Sequence, residues 1–167
     1  VSLYGHPLFG GNPRESIRRQ LRAAKAFAAK STHWVLATTP DEAQAAVAAK
    51  KGVLILGLEG AAGVIENDDD IKEFIDDGGI RIVTLLHLTD DHLGGAAFMK
   101  GIKALFTPIA YLTQLFDPLE QDGVRINRNG LTIEGAKLAG ELMKHKVWIA
   151  LTHSSDQAQR TLIPMLT

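Results

Sequence analysis

The sequence predicts an α/β protein with a parallel sheet, and three observations carry that expectation. Aliphatic runs of strand length recur at Val53 to Leu58, Ile80 to Leu86 and Val147 to Thr152, with helix-like stretches between them. The first run is unbroken, as in a strand covered by helices on both faces. Each run ends in one side chain that can bind a metal or carry a proton: Glu59, His87 and His153. The carboxyl end of a strand is where α/β proteins place their chemistry.

The elements follow in order. Val1 to Gly11 holds Gly, Pro and Asn and reads as loop. Asn12 is a helix N-cap, with Pro13 in the first position and Glu15 completing a capping box. Ile17, Leu21, Ala24 and Ala28 fall on one stripe, so a helix runs over Arg14 to Lys30. Its Arg14, Arg18, Arg22 and Lys25 lie off the stripe and read as a solvated face rather than a phosphate site. His33 to Ala37 is a short strand. Thr39 and Glu42 form a second capping box, Ala43 to Lys51 is the helix, and Gly52 closes it.

After Glu59 comes the turn Gly60-Ala61-Ala62-Gly63, which lacks the spacing and the following Lys-Ser/Thr of a phosphate loop. Asn67 to Asp70 starts a helix whose apolar stripe is Ile71, Phe74 and Ile75. The run Asp68-Asp69-Asp70 matches the positive end of that helix dipole and needs no cation. Gly78-Gly79 stops the helix before Ile80. Leu88 to Gly130 is too long for an ordinary βα connection and is expected to build or cover a site. Within it, Thr107 caps a short helix with Pro108 first, followed by Ile109, Leu112 and Phe116.

Thr132 caps the next helix, which runs through Glu134 to His145, and strand Val147 to Thr152 follows at once. Ser154-Ser155-Asp156 begins a last helix that stops near Pro164, leaving Met165-Leu166-Thr167 as the start of another strand. His92 reads as loop surface, and His6, His33 and His145 have no constellation around them. Trp34 and Trp148 read as packing residues.

A chain of 167 residues with 46% hydrophobic content buries a core and is one domain by length. Lys plus Arg (18) nearly balance Asp plus Glu (19), so nothing global points to nucleic acid or a membrane surface. No cysteine is present, which excludes disulfides and thiolate metal sites and leaves the compartment open. No apolar run reaches the roughly 18 residues of a membrane helix. The chain opens on Val1 rather than Met and resembles neither a signal peptide nor an initiator sequence, so it is expected to be a piece of a longer one.

Strands and helices alternate four times, and we read no hairpin between them, which argues for βαβ units. An open doubly wound sheet gathers its ligand at one switch point. Here three strands deliver polar side chains to one rim, which favours a TIM (β/α)8 barrel. Such a barrel takes about 250 residues and eight strands, so residues 1–167 are expected to form a single but incomplete one.

With those residues placed, the sequence resembles the membrane (renal-type) dipeptidase family, peptidase family M19, among the amidohydrolase-like metal-dependent hydrolases. The matching stretches are Ile55 to Gly60, Gly79 to His87, Gly130 to Gly135 and Leu151 to Ser155, in the family's order, and the likeness runs from about Ser16 to Thr167. The resemblance implies that Glu59 bridges two Zn2+ ions, that His153 is a ligand of one of them, and that His87 binds substrate and stabilises the oxyanion. It implies a small dipeptide-like substrate, split by metal-activated water, and leaves room for a homodimer.

The family's His-x-Asp zinc pair has no counterpart here. Ala150 stands where the family usually has Asp, and the Asn that usually follows the substrate histidine is absent from Leu88-Thr89-Asp90-Asp91. Three readings therefore stand side by side: a zinc dipeptidase, a barrel of the same family without catalysis, and an amidohydrolase acting on esters, lactones or N-acyl amino acids. Taken without the resemblance, Glu59 answers equally to a metal and to a cation such as Arg81.

Overall fold

Leu56 to Glu59 forms the strand on which the sheet is assembled, with Leu56 and Leu58 fully buried and Gly57 and Glu59 half-buried between them. The structure, a computed structural model, describes residues 1–5, 11–98, 116 and 119–167. His6 and the short helix expected at Thr107, Pro108, Ile109 and Leu112 lie outside the described residues. Contacts divide the chain into two compact units, Val1–Val83 with His145–Trp148, and Thr84–Lys144 with Ile149–Thr167.

In the first unit, β1 (Ser2–Tyr4) pairs in parallel with β4 (Leu56–Glu59), Leu3 opposite Leu58 and Tyr4 opposite Glu59. The loop expected over Val1 to Gly11 is thus a strand at its start, because Leu3 finds a buried place beside Leu58. The aliphatic run ahead of Glu59 is also not one strand. Its first part is β3 (Gly52–Leu54), which pairs in parallel with β2 (Trp34–Leu36) in a separate two-stranded sheet. The run changes partner at Ile55, whose carbonyl accepts from the Val1 amino group at 2.8 Å.

Helix α1 (Pro13–Lys30) is capped by Asn12, whose side chain accepts from the Glu15 N–H, and it buries Ile17 and Leu21, worth about 1.5–3 kcal/mol each. Its arginines are not simply solvated. Arg14 forks onto Asp70 (2.9 and 2.7 Å), and Arg18 forks onto Glu73 (2.5 and 2.7 Å) while also reaching Glu15 at 2.6 Å. The acidic partners belong to α3 (Asp68–Asp70), capped by Asn67, and to the π-helical turns that continue it over Ile71–Asp77. Phe74 and Ile75 in those turns are buried completely.

Helix α2 (Pro40–Ala48) has the full capping box of Thr39 and Glu42. The helix is closed by Lys50, in left-handed backbone at φ 56°, and not by Gly52. Gly52 lies in β3 instead, where a Cβ would meet the Trp34 ring at 2.4 Å. Trp34 and Trp148, expected as core or helix-packing residues, are 42% and 64% exposed, so neither lies in the core. Strand β5 is Ile80–Thr84, and Leu85 and Leu86 beyond it are buried. His145 has a partner after all, its Nδ1 lying 2.9 Å from Asp76.

The second unit holds a hairpin that we did not expect: β6 (Leu119–Gln121) runs antiparallel to β7 (Val124–Ile126) across Asp122-Gly123. Both turn residues have positive φ, 52° and 73°, the requirement of a type I′ turn, and Asp-Gly is its usual sequence. Helix α4 (Ile133–Lys144) starts with the Thr132 hydroxyl accepting from the Gly135 N–H. Strand β8 (Trp148–Ala150) leads to α5 (Asp156–Met165), capped by Ser155. Pro164 lies inside the last turn of α5, so Met165 is helical and no new strand begins there. The larger sheet has the order β1-β4-β5-β8, a parallel sheet served by βα units.

Two glycines give opposite expectations. A Cβ on Gly95 would lie 2.1 Å from the Asn129 carbonyl oxygen, whereas one on Gly140 in α4 meets nothing within 4 Å. Gly95→Ala should destabilise by about 1–3 kcal/mol, and Gly140→Ala should stabilise by about 0.5–1 kcal/mol, both measured by urea unfolding.

Asp70 gives an acid-dependent expectation. Burial works against its ionisation, but the Arg14 fork and the Glu66 and Asn67 N–H groups outweigh it and hold the carboxyl below its ordinary range. Its contribution is complete above the ordinary carboxylate pKa and is lost as pH falls through the depressed one. The gap in urea midpoint between wild type and Asp70→Asn should therefore be wide at pH 7 and narrow towards pH 3.

Candidate metal centre

Glu59 is the last residue of β4 and half-buried, and Gly60 turns the chain away at φ 84°. A carboxylate here stands at the carboxyl edge of the sheet, beside a buried apolar strand. Tyr4, its cross-strand partner, has its phenol pushed up, first by burial and then by the negative charge of Glu59.

His87 follows the two buried leucines that extend β5, and its carbonyl accepts from the Thr89 N–H across a tight turn. Leu88, in that turn, sits at φ 30°. His153 is three residues beyond β8 and itself adopts left-handed backbone at φ 65°. Its carbonyl accepts from the Ala97 N–H at 2.7 Å. The two imidazoles meet edge to face, 4.6 Å between centroids and 86° between planes.

Glu59 in the first unit, and His87 and His153 in the second, each offer one donor atom of a kind that metals take. Of the three residues singled out in the sequence, His87 and His153 are brought together within the second unit, and Glu59 ends β4 in the first. Two imidazole nitrogens and a carboxylate oxygen are the donor types that zinc takes in catalytic sites, so the set fits a divalent transition metal. Arg81 is directed elsewhere, donating to the carbonyls of Thr38, Ile75 and Ile80 at 2.8–3.0 Å. His92 is exposed, as expected of loop surface.

Sequence reasoning missed the polar residues that hold the loop after His87. Asp90 accepts from the Ala96 N–H (2.9 Å), Asn127 Nδ2 (2.7 Å) and Asn129 Nδ2 (2.7 Å). Asn127 is 4% exposed, unusual for an amide and explained by its second bond, to the Ala96 carbonyl at 2.7 Å. No pattern marks Asn127 or Asn129 in the sequence, since their partner lies more than 35 residues upstream. Asp91 in this loop is half-buried; burial pushes its carboxyl up, against the Leu93 and Gly94 N–H groups and His92.

No family sequence model matches the chain, and no curated protein sequence does. Its fold has clear counterparts among solved structures. It matches the probable dipeptidase PvdM from Pseudomonas aeruginosa with TM-score 0.69 at 12% identity, over 98% of this chain and 38% of that one. It matches the dipeptidase AC, a metallopeptidase of family M19, with TM-score 0.63 at 16% identity, over 91% and 39%. It matches a metallopeptidase from Rhodobacter sphaeroides, solved with a phosphinate mimic of the dipeptide L-Ala-D-Ala, with TM-score 0.61 at 16% identity, over 90% and 36%. The chain thus spans less than two fifths of each. The shared feature is the fold, βα units of a TIM barrel of the kind found in dipeptidases and amidohydrolases.

Tyr4 offers a direct reading of Glu59. The sequence has two tyrosines, Tyr4 and Tyr111. In a Tyr111→Phe background, ultraviolet titration should find Tyr4 above the ordinary phenol pKa of about 10. Adding Glu59→Gln should lower that midpoint without returning it fully, because burial remains.

Proposed function

We propose that the protein is a metal-dependent hydrolase that splits the peptide bond of dipeptides, with zinc held at Glu59 and His153. The observation that carries the reading is the donor set itself: Glu59 at the end of β4, and His87 and His153 set edge to face just beyond β5 and β8, are the side-chain types that zinc takes. Its setting on a fold whose counterparts include an M19 dipeptidase, and a metallopeptidase solved with a tetrahedral dipeptide mimic, adds support.

When bound, zinc supplies a Lewis acid and a water acidic enough to yield hydroxide near neutral pH. Glu59 would hold the metal through its carboxylate and offset part of its charge. His153 would present an imidazole nitrogen to the metal, from a backbone fixed by the bond that its carbonyl accepts from the Ala97 N–H. His87 donates an imidazole N–H to the scissile carbonyl oxygen, and this bond strengthens as negative charge grows there. The carbonyl of a peptide needs such a donor more than that of an activated ester, because its amine leaves less readily.

The intact protein, purified without chelator, should carry about two zinc ions per chain, as binuclear hydrolases do, and should hydrolyse dipeptides in preference to simple esters. Metal analysis and an amine-release assay decide it; a metal-free protein, or one that cleaves only esters, overturns the reading. Glu59→Gln should lower dipeptide hydrolysis about a thousandfold or more, with zinc content reduced in parallel, since a neutral amide does not bridge two cations.

A further inference from the structure

We infer that Asp90 is the positioning residue of the histidine pair, holding His87 and His153 in their edge-to-face arrangement through the backbone. The segment that leaves His87 returns to His153 within ten residues: Ala97 N–H donates to the His153 carbonyl (2.7 Å), and Ser155 N–H to the Gly95 carbonyl (2.9 Å). Asp90 closes this arch. One of its oxygens accepts from Ala96 N–H at the far end of the loop and from Asn127 Nδ2, and the other accepts from Asn129 Nδ2. Asn127 returns a bond to the Ala96 carbonyl and also accepts from Asn129 N–H at 3.0 Å. The Asn129 carbonyl takes the Ser155 hydroxyl at 2.6 Å, and Ser155 is the cap of α5 directly after the His153 turn. Both histidine backbones are thus tied to one carboxylate by short chains of hydrogen bonds.

The requirement is for an acceptor on both sides. Ala96 N–H, Asn127 Nδ2 and Asn129 Nδ2 are all donors to Asp90, so an amide in its place cannot satisfy these three in either orientation. Its Nδ2 must face either Asn129 Nδ2 or the Ala96 and Asn127 donors. Such a partly satisfied network loosens the loop at the point where the two rings are set against each other.

The inference rests on the proposed zinc site for one of its readouts and is independent of it for the other. The first readout is the imidazole ring-proton resonances of His87 and His153 in the metal-free protein, which feel each other's ring currents at 4.6 Å. The second is zinc affinity in competition with a chromophoric chelator.

In Asp90→Asn, the ring-proton shifts should move and zinc affinity should fall about tenfold. The double variant Asp90→Asn/Asn129→Asp, which exchanges donor and acceptor across one bond, should recover both. Asn129→Asp alone sets two carboxylates face to face and should behave like Asp90→Asn. Asn129→Ala removes one exposed bond, should show a smaller shift of the same kind, and serves if Asp90→Asn does not fold. Unchanged ring shifts in Asp90→Asn and Asn129→Ala overturn the inference, as does a shift that the exchange fails to restore. A wild type that binds no zinc but shows the ring response and its rescue sinks the metal reading and leaves Asp90 in its role.

Discussion

Backbone pairing along β4 is the constraint on which the rest depends. Leu56 to Glu59 carries buried apolar side chains, so its N–H and C=O groups have no access to water and must be paired by neighbouring strands. Parallel pairing with β1 sets Leu3 against Leu58 and ends both strands at the same level. Because the register is set by leucines, the polar residue that follows them has one place to go, the edge of the sheet. Glu59 needs no special signal to reach that edge.

The same logic explains how α1 is fastened. Burying Ile17 and Leu21 orients the helix, yet two side chains do not set its rotation closely. The Arg14 and Arg18 forks do, because each planar guanidinium meets a carboxylate along two parallel bonds and tolerates little sliding. These pairs account for both the basic face of α1 and the acidic start of α3 without a phosphate or a cation.

What the sequence shows and hides has a physical pattern. The helix starts at Asn12, Thr39, Asn67, Thr132 and Ser155 were legible because a cap bonds a donor two or three residues away, within one local window. Glu59, His87 and His153 were legible because each follows an apolar run. Strand β1 was not, since three residues beside Gly5 carry no periodicity and become a strand only when Leu58 is adjacent. The partner change at Ile55 is equally silent, because both neighbours demand the same aliphatic residues. Trp34 packs outside the core, since its ring lies over Gly52 across the ladder, a contact that its place in a strand does not reveal. The hairpin at Asp122-Gly123 is a different matter, for its turn signal is local, but the strands beside it are three residues each and carry charged side chains, too short to show a strand period.

The backbone around the histidines carries the argument one step further. A residue with a Cβ in left-handed backbone costs free energy, on the order of 1 kcal/mol, unless its surroundings hold it there. His153 at φ 65° and Leu88 at φ 30°, one beside and one at a candidate ligand, both bear that cost. Each lies where the hydrogen bonds of the 88–97 loop begin or end, at the His87 and His153 carbonyls. Relaxed backbone at either position would turn its imidazole away from the other and ease the strain, yet the loop forbids it while the Asp90 network is intact. The strain and the restraint therefore belong to one device, whose product is the relative placement of two rings. A fold that needed only to bury leucines would have no use for such placement.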